Sequence, residues 1–143
     1  MNVWKIGSRW DESGNPDKSI LDIFLKYNIV FAGKSTNYIE NVVEIGDLIA
    51  VADGLTIKAV GRVLEKPRYF KQENKEYFEK KIPENLEKEL KSYGIKYPDE
   101  HVIALPLKLH KLEKDEYFKY STLSNVLFLL PKAIKMGLGN VLP

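Results

Sequence analysis

The chain contains no cysteine. That excludes disulfides, zinc held by thiolates and cysteine nucleophiles. Histidine is nearly as scarce: the two, His101 and His110, have no metal-motif spacing and read as surface or strand residues. No apolar run is long enough to span a bilayer. The longest near the C-terminus, Val126 to Leu130, stops at Pro131. Lys5 and Arg9 are followed by no apolar segment of the secretory kind, so a cytoplasmic location is expected. The glycine-rich fingerprints G-x-G-x-x-G and G-x-x-x-x-G-K-[ST] are absent, as are G-x-S-x-G, H-E-x-x-H and the zinc-deaminase pattern. There is no internal repeat, low-complexity stretch or linker.

What is present fits one domain over residues 1–143. A 44% hydrophobic and 29% charged composition is ordinary for a globular chain and fills a single core. The net charge of +2 is a balance of 22 basic and 20 acidic residues. It permits an anionic partner without demanding one.

Residues 2–7 read as a strand. Asn15-Pro16 looks like a helix start, with Asn as cap and Pro at the first helical position. Ile20, Leu21, Phe24 and Leu25 recur at helical spacing, and Asn28 is a plausible end. Ile29 to Gly33 is a short apolar strand, and 34–46 is irregular up to a Gly46-Asp47 turn. Asp47–Asp53 and Leu55–Val63 are strand-like runs around Asp53-Gly54, a strong two-residue hairpin signal. Beyond Lys66-Pro67 the stretch 68–81 is charged and aromatic with no clean strand period. Pro83 opens a second helix with Leu86, Leu90 and Tyr93 on one face and Gly94 as its stop. His101–Leu109 reads as a strand that Pro106 pushes toward an edge or a bulge. The tail from Ser121 is apolar and fits strand or helix. A hairpin amid isolated strands and few helices argues for an α+β fold with a small curved or barrel-like mixed sheet, not regular strand–helix alternation.

No catalytic constellation is visible, so a non-enzymatic role is expected, with no cofactor. The carboxylates Asp11, Glu12, Asp53 and Glu65 allow an acid–base pair in principle. Asp53, however, is explained by its turn, and Glu65 as a solvated side chain. The distinctive feature is aromatic residues at loop-like positions: Trp10, Tyr38, Tyr69-Phe70 and Tyr77-Phe78, several among Lys and Arg. Such rings either stack on nucleobases, with the cations on phosphates, or fold back as lids on the core. The residues leave both readings open.

The order W-K-I-G-S, helix, I-V-F-A-G, V-E-I-G-D-L-I-A-V-A-D and T-I-K-A-V-G-R-V-L-E-K-P resembles the EVE and YTH branch of the PUA-like superfamily. The most recognisable piece is Gly46-Asp47-Leu48-Ile49-Ala50-Val51 followed by Ile57, Val60-Gly61-Arg62-Val63. The likeness covers residues 1–70 well and 100–112 loosely, and other barrels, including the ASCH branch, use a similar hairpin. It implies a small PUA-like (EVE/YTH-type) mixed β-barrel flanked by two or three helices. In such domains one base, turned out of the stack, is held in a pocket at the open side of the barrel. EVE-like domains at the N-termini of McrB-type modification-dependent restriction proteins, and YTH domains, read modified bases this way. Aromatic walls restore the lost stacking, and an added methyl group contributes roughly 0.8 kcal/mol of apolar burial.

Carried over by position, the resemblance implies a base pocket of Ser8, Arg9 and Trp10 after the first strand. Phe31 would be the wall at the end of the second strand, followed by Ala32, Gly33 and Ser35, with Tyr69 after the hairpin. Trp10 would wall or lid this pocket or, alternatively, cap the open end of the barrel against the first helix. Lys34, Arg68, Lys71 and Lys75 would meet the nucleic-acid backbone and make binding salt-dependent. YTH domains carry tryptophan where this chain has Phe31 and asparagine where it has Arg9, so a methyladenine cage does not carry over. An arginine there suits a base carbonyl or a phosphate.

The implied partner is DNA or RNA with a modified (methylated) base. The module would be part of a larger restriction, defence or RNA-modification protein, or a complete small protein. The alternatives are a small ASCH-type nuclease or hydrolase on the same barrel, and a small-molecule- or protein-binding PUA-like domain. One fold hosts all of these.

Overall fold

The computed structural model describes residues 2–9, 19–33, 39–82, 86–119 and 128–129. Trp10, Lys34, Ser35 and Tyr38 lie outside the described residues, as do the expected helix starts at Asn15-Pro16 and Pro83 and most of the tail from Ser121.

The architecture is mixed α and β: a curled, half-barrel sheet with helices against it. In chain order the elements are β1 (Val3–Gly7), α1 (Leu21–Tyr27), β2 (Ile29–Ala32), the one-turn α2 (Ile39–Val42), β3 (Leu48–Asp53), β4 (Thr56–Val63) and β5 (Arg68–Tyr69). A 3₁₀ turn (Gln72–Asn74) then leads into α3 (Lys75–Lys81), followed by α4 (Leu86–Ser92) and β6 (Ile103–Lys111). A second 3₁₀ turn (Lys114–Glu116), β7 (Phe118–Lys119) and β8 (Phe128–Leu129) complete the described elements. The sheet order is β2-β6-β4-β3-β1-β8, with β5 also on β6 and β7 also on β4. β1 and β3 run parallel, Val3 opposite Leu48 through Gly7 opposite Ala52; the other pairs are antiparallel.

The central strands are buried on both faces, which explains their near-continuous apolar sequence. Ile6, Ile49, Val51, Ala59 and Val63 join the main core with α1, β2 and β6. The alternate residues Val3, Leu48, Ala50, Ala52, Ile57 and Val60 form a second core under Leu112, Tyr117 and Phe118. Lys5 is buried too, and burial pulls its pKa below the usual lysine value.

The hairpin forms where the sequence places it, one residue on. Asp53 pairs with Thr56, and Gly54, at φ 63°, opens the two-residue loop. Gly in that first loop position gives a twist that matches the flanking strands. The register shifts between Val51 and Ala52, and the Lys58 carbonyl at this irregularity accepts the Leu112 N–H at 2.9 Å.

Helix α1 ends at Asn28, whose φ of 53° is the left-handed conformation Asn tolerates. Its side chain and carbonyl then accept the N–H groups of Leu109 and Leu107. The hydroxyl of Tyr27 and the ammonium of Lys26 both donate to Glu89, tying α1 to α4.

Two expectations need correction. Strand β6 is interior, not an edge, despite Pro106. Alternate β6 residues face alternate neighbours: Leu107 N–H turns to Asn28 on the β2 side, while the Pro106 carbonyl takes Leu64 N–H on the other. The missing N–H of Pro106 therefore falls in the gap between β4 and β5, where no ladder bond is forfeited. The stretch 68–81, whose aromatics read as loop-like in the sequence, is not a loop throughout. It holds β5, a 3₁₀ turn and α3, with Phe78 buried and Tyr77 half-buried.

Candidate functional site

The structure gathers the described candidate residues into two groups. The first lies at the end of β1. Ser8 is fully buried; its hydroxyl donates to the Ala52 carbonyl (2.9 Å) and meets the Ser19 hydroxyl (2.9 Å). The Ser8 hydroxyl therefore anchors local backbone. Arg9 pairs with Ser19 across an antiparallel β-bridge. The Nε of Arg9 donates to Asp53 at 2.8 Å, Lys58 donates to the other Asp53 oxygen at 2.8 Å, and the Arg9 guanidinium lies over Gly54. Burial pushes the Asp53 carboxyl up, but these two cations outweigh it and hold it below its ordinary value. The aspartate expected from its turn position is thus also the counter-ion that holds Arg9 beside the hairpin turn.

The second group lies near the start of β6. Phe31 faces Ala104 and Ala32 faces Ile103 from one side; Arg68 and Tyr69 of β5 face the same two residues from the other. The first group belongs to the β3–β4 hairpin, at the level of Lys111 where β6 ends. About 25 Å of strand path along β6 separates the two levels. Phe31 and Ala32 are core residues; Phe31 meets Phe24 and Phe70 edge-on at 5.4 and 5.2 Å. Gly33 is half-buried at the end of β2. Arg68 lies 4.1 Å over the Tyr77 ring, and the Tyr77 hydroxyl donates to Glu65 at 3.0 Å. Burial first, then Glu65, pushes the Tyr77 phenol up to about 12.

Immediately beyond Tyr69 an open cleft of about 640 Å³ is cut between α3, the start of α4 and Tyr97. Its floor is a stacked pair, Phe70 on Phe78, with centroids 4.2 Å apart and planes 7° from parallel. Tyr97 stands against Phe70 at 5.8 Å and 88°, so two ring planes meet in a right-angled corner. Tyr97 keeps 43% of its surface exposed, which makes it the accessible ring. Lys71 and Lys75 line the edge near β5, and the Lys71 ammonium lies 4.8 Å from the centre of the Tyr69 ring. Glu79 and Glu87 also line the cleft. Burial, then Glu87 and Glu79, pushes the Tyr97 hydroxyl above its ordinary pKa.

The sequence reading reached Tyr69, Phe70, Lys71 and Lys75 but missed Tyr97, Glu79 and Glu87. The signal for Tyr97 was its place, an aromatic just before Pro98 and just after the Gly94 helix stop. Among the described residues no cluster of three or more His, Asp or Glu is arranged to hold a metal, and no helix is long and apolar enough to cross a membrane. Compared with known proteins, the chain matches no family model, and no curated protein is significantly similar to it.

Proposed function

We propose that this chain is a nucleic-acid-binding module of PUA-like architecture that takes a single turned-out, modified base into an aromatic cleft. The observation that carries this reading is the cleft beside β5. It joins an accessible tyrosine corner to two lysines, and its volume lies in the range of small-ligand sites. A base stacked there recovers roughly 1–3 kcal/mol. Lys71 and Lys75 supply the phosphate contacts that make such binding salt-dependent. The curled sheet, with α1 between β1 and β2 and the β3–β4 hairpin, supports the architecture. Arg9, held by Asp53 and partly exposed, offers a cation at the turn end of the hairpin, where a longer nucleic acid would rest.

The test is fluorescence anisotropy with labelled DNA and RNA oligonucleotides, unmodified and base-methylated, for wild type, Tyr97→Ala and Trp10→Ala. Preference for a methylated member, lost in Tyr97→Ala, is expected. Absence of binding to every member at low salt would overturn the reading.

A further inference from the structure

The cleft is not uniformly basic, and its charge pattern narrows the ligand. Along α3 the rim changes sign within one turn: Lys75 begins the helix, and Glu79 follows four residues on, about 6 Å along the axis. Glu87, in the first turn of α4, adds a second carboxylate on the same side. Burial first, then Glu87 and Glu79, raises the pKa of the Tyr97 hydroxyl above its ordinary value. Each carboxylate has a lysine one turn along its own helix, Lys75–Glu79 at 3.9 Å and Lys91–Glu87 at 3.6 Å. These pairs are exposed and weak enough to be exchanged for a ligand. The accessible Tyr97 ring thus shares the cleft with two carboxylates, each facing an exposed lysine it can exchange, and Lys71 and Lys75 line the cleft toward β5.

We propose that the cleft selects a nucleobase made cationic at neutral or mildly acidic pH by methylation of a ring nitrogen, as in 7-methylguanine, 1-methyladenine or 3-methylcytosine, with its phosphate on Lys71 and Lys75. The inference rests on the base-reading function above. A neutral methylated base gains only stacking and apolar burial in the corner. A cationic base adds attraction to the face of Tyr97 and to Glu79 and Glu87. The spacing of opposite charges along the rim is within the span of one nucleotide, whose base would then be positive and whose phosphate is negative.

The test uses the full chain at neutral pH, titrated with 7-methylguanosine and 1-methyladenosine 5′-monophosphates and with their neutral counterparts, guanosine and N6-methyladenosine 5′-monophosphates. Cation–π attraction predicts a preference of roughly two- to thirtyfold for the cationic members. Tyr97→Leu keeps apolar bulk at an exposed position and should bring the preference near unity. Glu87→Gln should reduce it, and Lys71→Ala should weaken all four nucleotides alike. Equal or tighter binding of the neutral nucleotides, lost in Tyr97→Leu, would overturn this inference and leave the base reader standing. Binding of no nucleotide, or tighter binding of a trimethyl-lysine peptide, would overturn both.

Discussion

Asp47 is the buried carboxylate that fastens the start of the fold. One oxygen accepts the Asn2 N–H at 3.0 Å; the other accepts the Trp4 indole N–H and the Glu44 N–H, each at 3.0 Å. Replacing it with alanine strands three donors at once. Hydrogen bonds to a charged group contribute roughly 1.5–3 kcal/mol each. Asn2 and Glu44 are exposed and can be rehydrated, so the sum falls to about 3 kcal/mol for Asp47→Ala. Asp47→Asn keeps the shape, but its amide must turn a donor toward a donor, which gives about 2 kcal/mol. Burial pushes the Asp47 carboxyl up, yet the three donors outweigh it and its pKa lies below the ordinary value. The folded state thus binds fewer protons than the unfolded state between the two pKa values. This contribution is complete above the unfolded pKa and is lost as pH falls through the folded one. The assay is urea unfolding followed by tryptophan fluorescence, in a Trp10→Phe background so that Trp4 reports. The gap between wild type and Asp47→Asn should be full at pH 7 and shrink in acid. A gap under 0.5 kcal/mol at pH 7, or one constant down to pH 3, would refute the reasoning; these thresholds are of the order of error in such extrapolations.

Three further expectations follow from packing and charge. A Cβ at Gly61 would lie 2.2 Å from the Leu107 side chain and 2.8 Å from the Lys108 carbonyl oxygen, so Gly61→Ala should lower stability by about 1–3 kcal/mol in the same unfolding assay. Phe31→Ala removes the ring between Phe24 and Phe70 and should lose about 3–5 kcal/mol; a loss below 1 kcal/mol would mean Phe31 lines open space. In an alkaline titration followed by tyrosinate absorbance, Tyr77 should be a late phase at about 12, absent in Tyr77→Phe.

The parts of the fold legible in the sequence are those with a local cause. Asp53-Gly54 specifies its turn by the positive φ at Gly54, Asn28 ends α1 by the same means, and Gly94, at φ 75°, stops α4. The apolar runs of β3 and β4 read as strands because both faces are buried. Strand β6 was harder, because whether Pro106 is tolerable depends on where β4 stops on a neighbouring lane. Helix α3 was hidden because its stretch places only Phe78 in the core; Lys75, Glu76, Glu79 and Lys80 are exposed, and no apolar stripe shows. The cleft was half legible: Tyr69 to Lys75 stand out as aromatic and basic, while Glu87 on α4 and Tyr97 beyond it reach the cleft only through the tertiary fold. The likeness to base-reading domains pointed at Ser8, Arg9 and Phe31. Of these, Ser8 and Phe31 are buried, and Arg9 is held by Asp53.

The most direct measurement of the central claim is backbone-amide chemical-shift mapping of the full chain titrated with a short oligonucleotide bearing one methylated base. The account predicts the largest shifts at Lys71, Gln72, Lys75, Phe78 and Tyr97, saturating together. Shifts confined to Ser8, Arg9 and the β3–β4 hairpin, or none at saturating oligonucleotide, would contradict it.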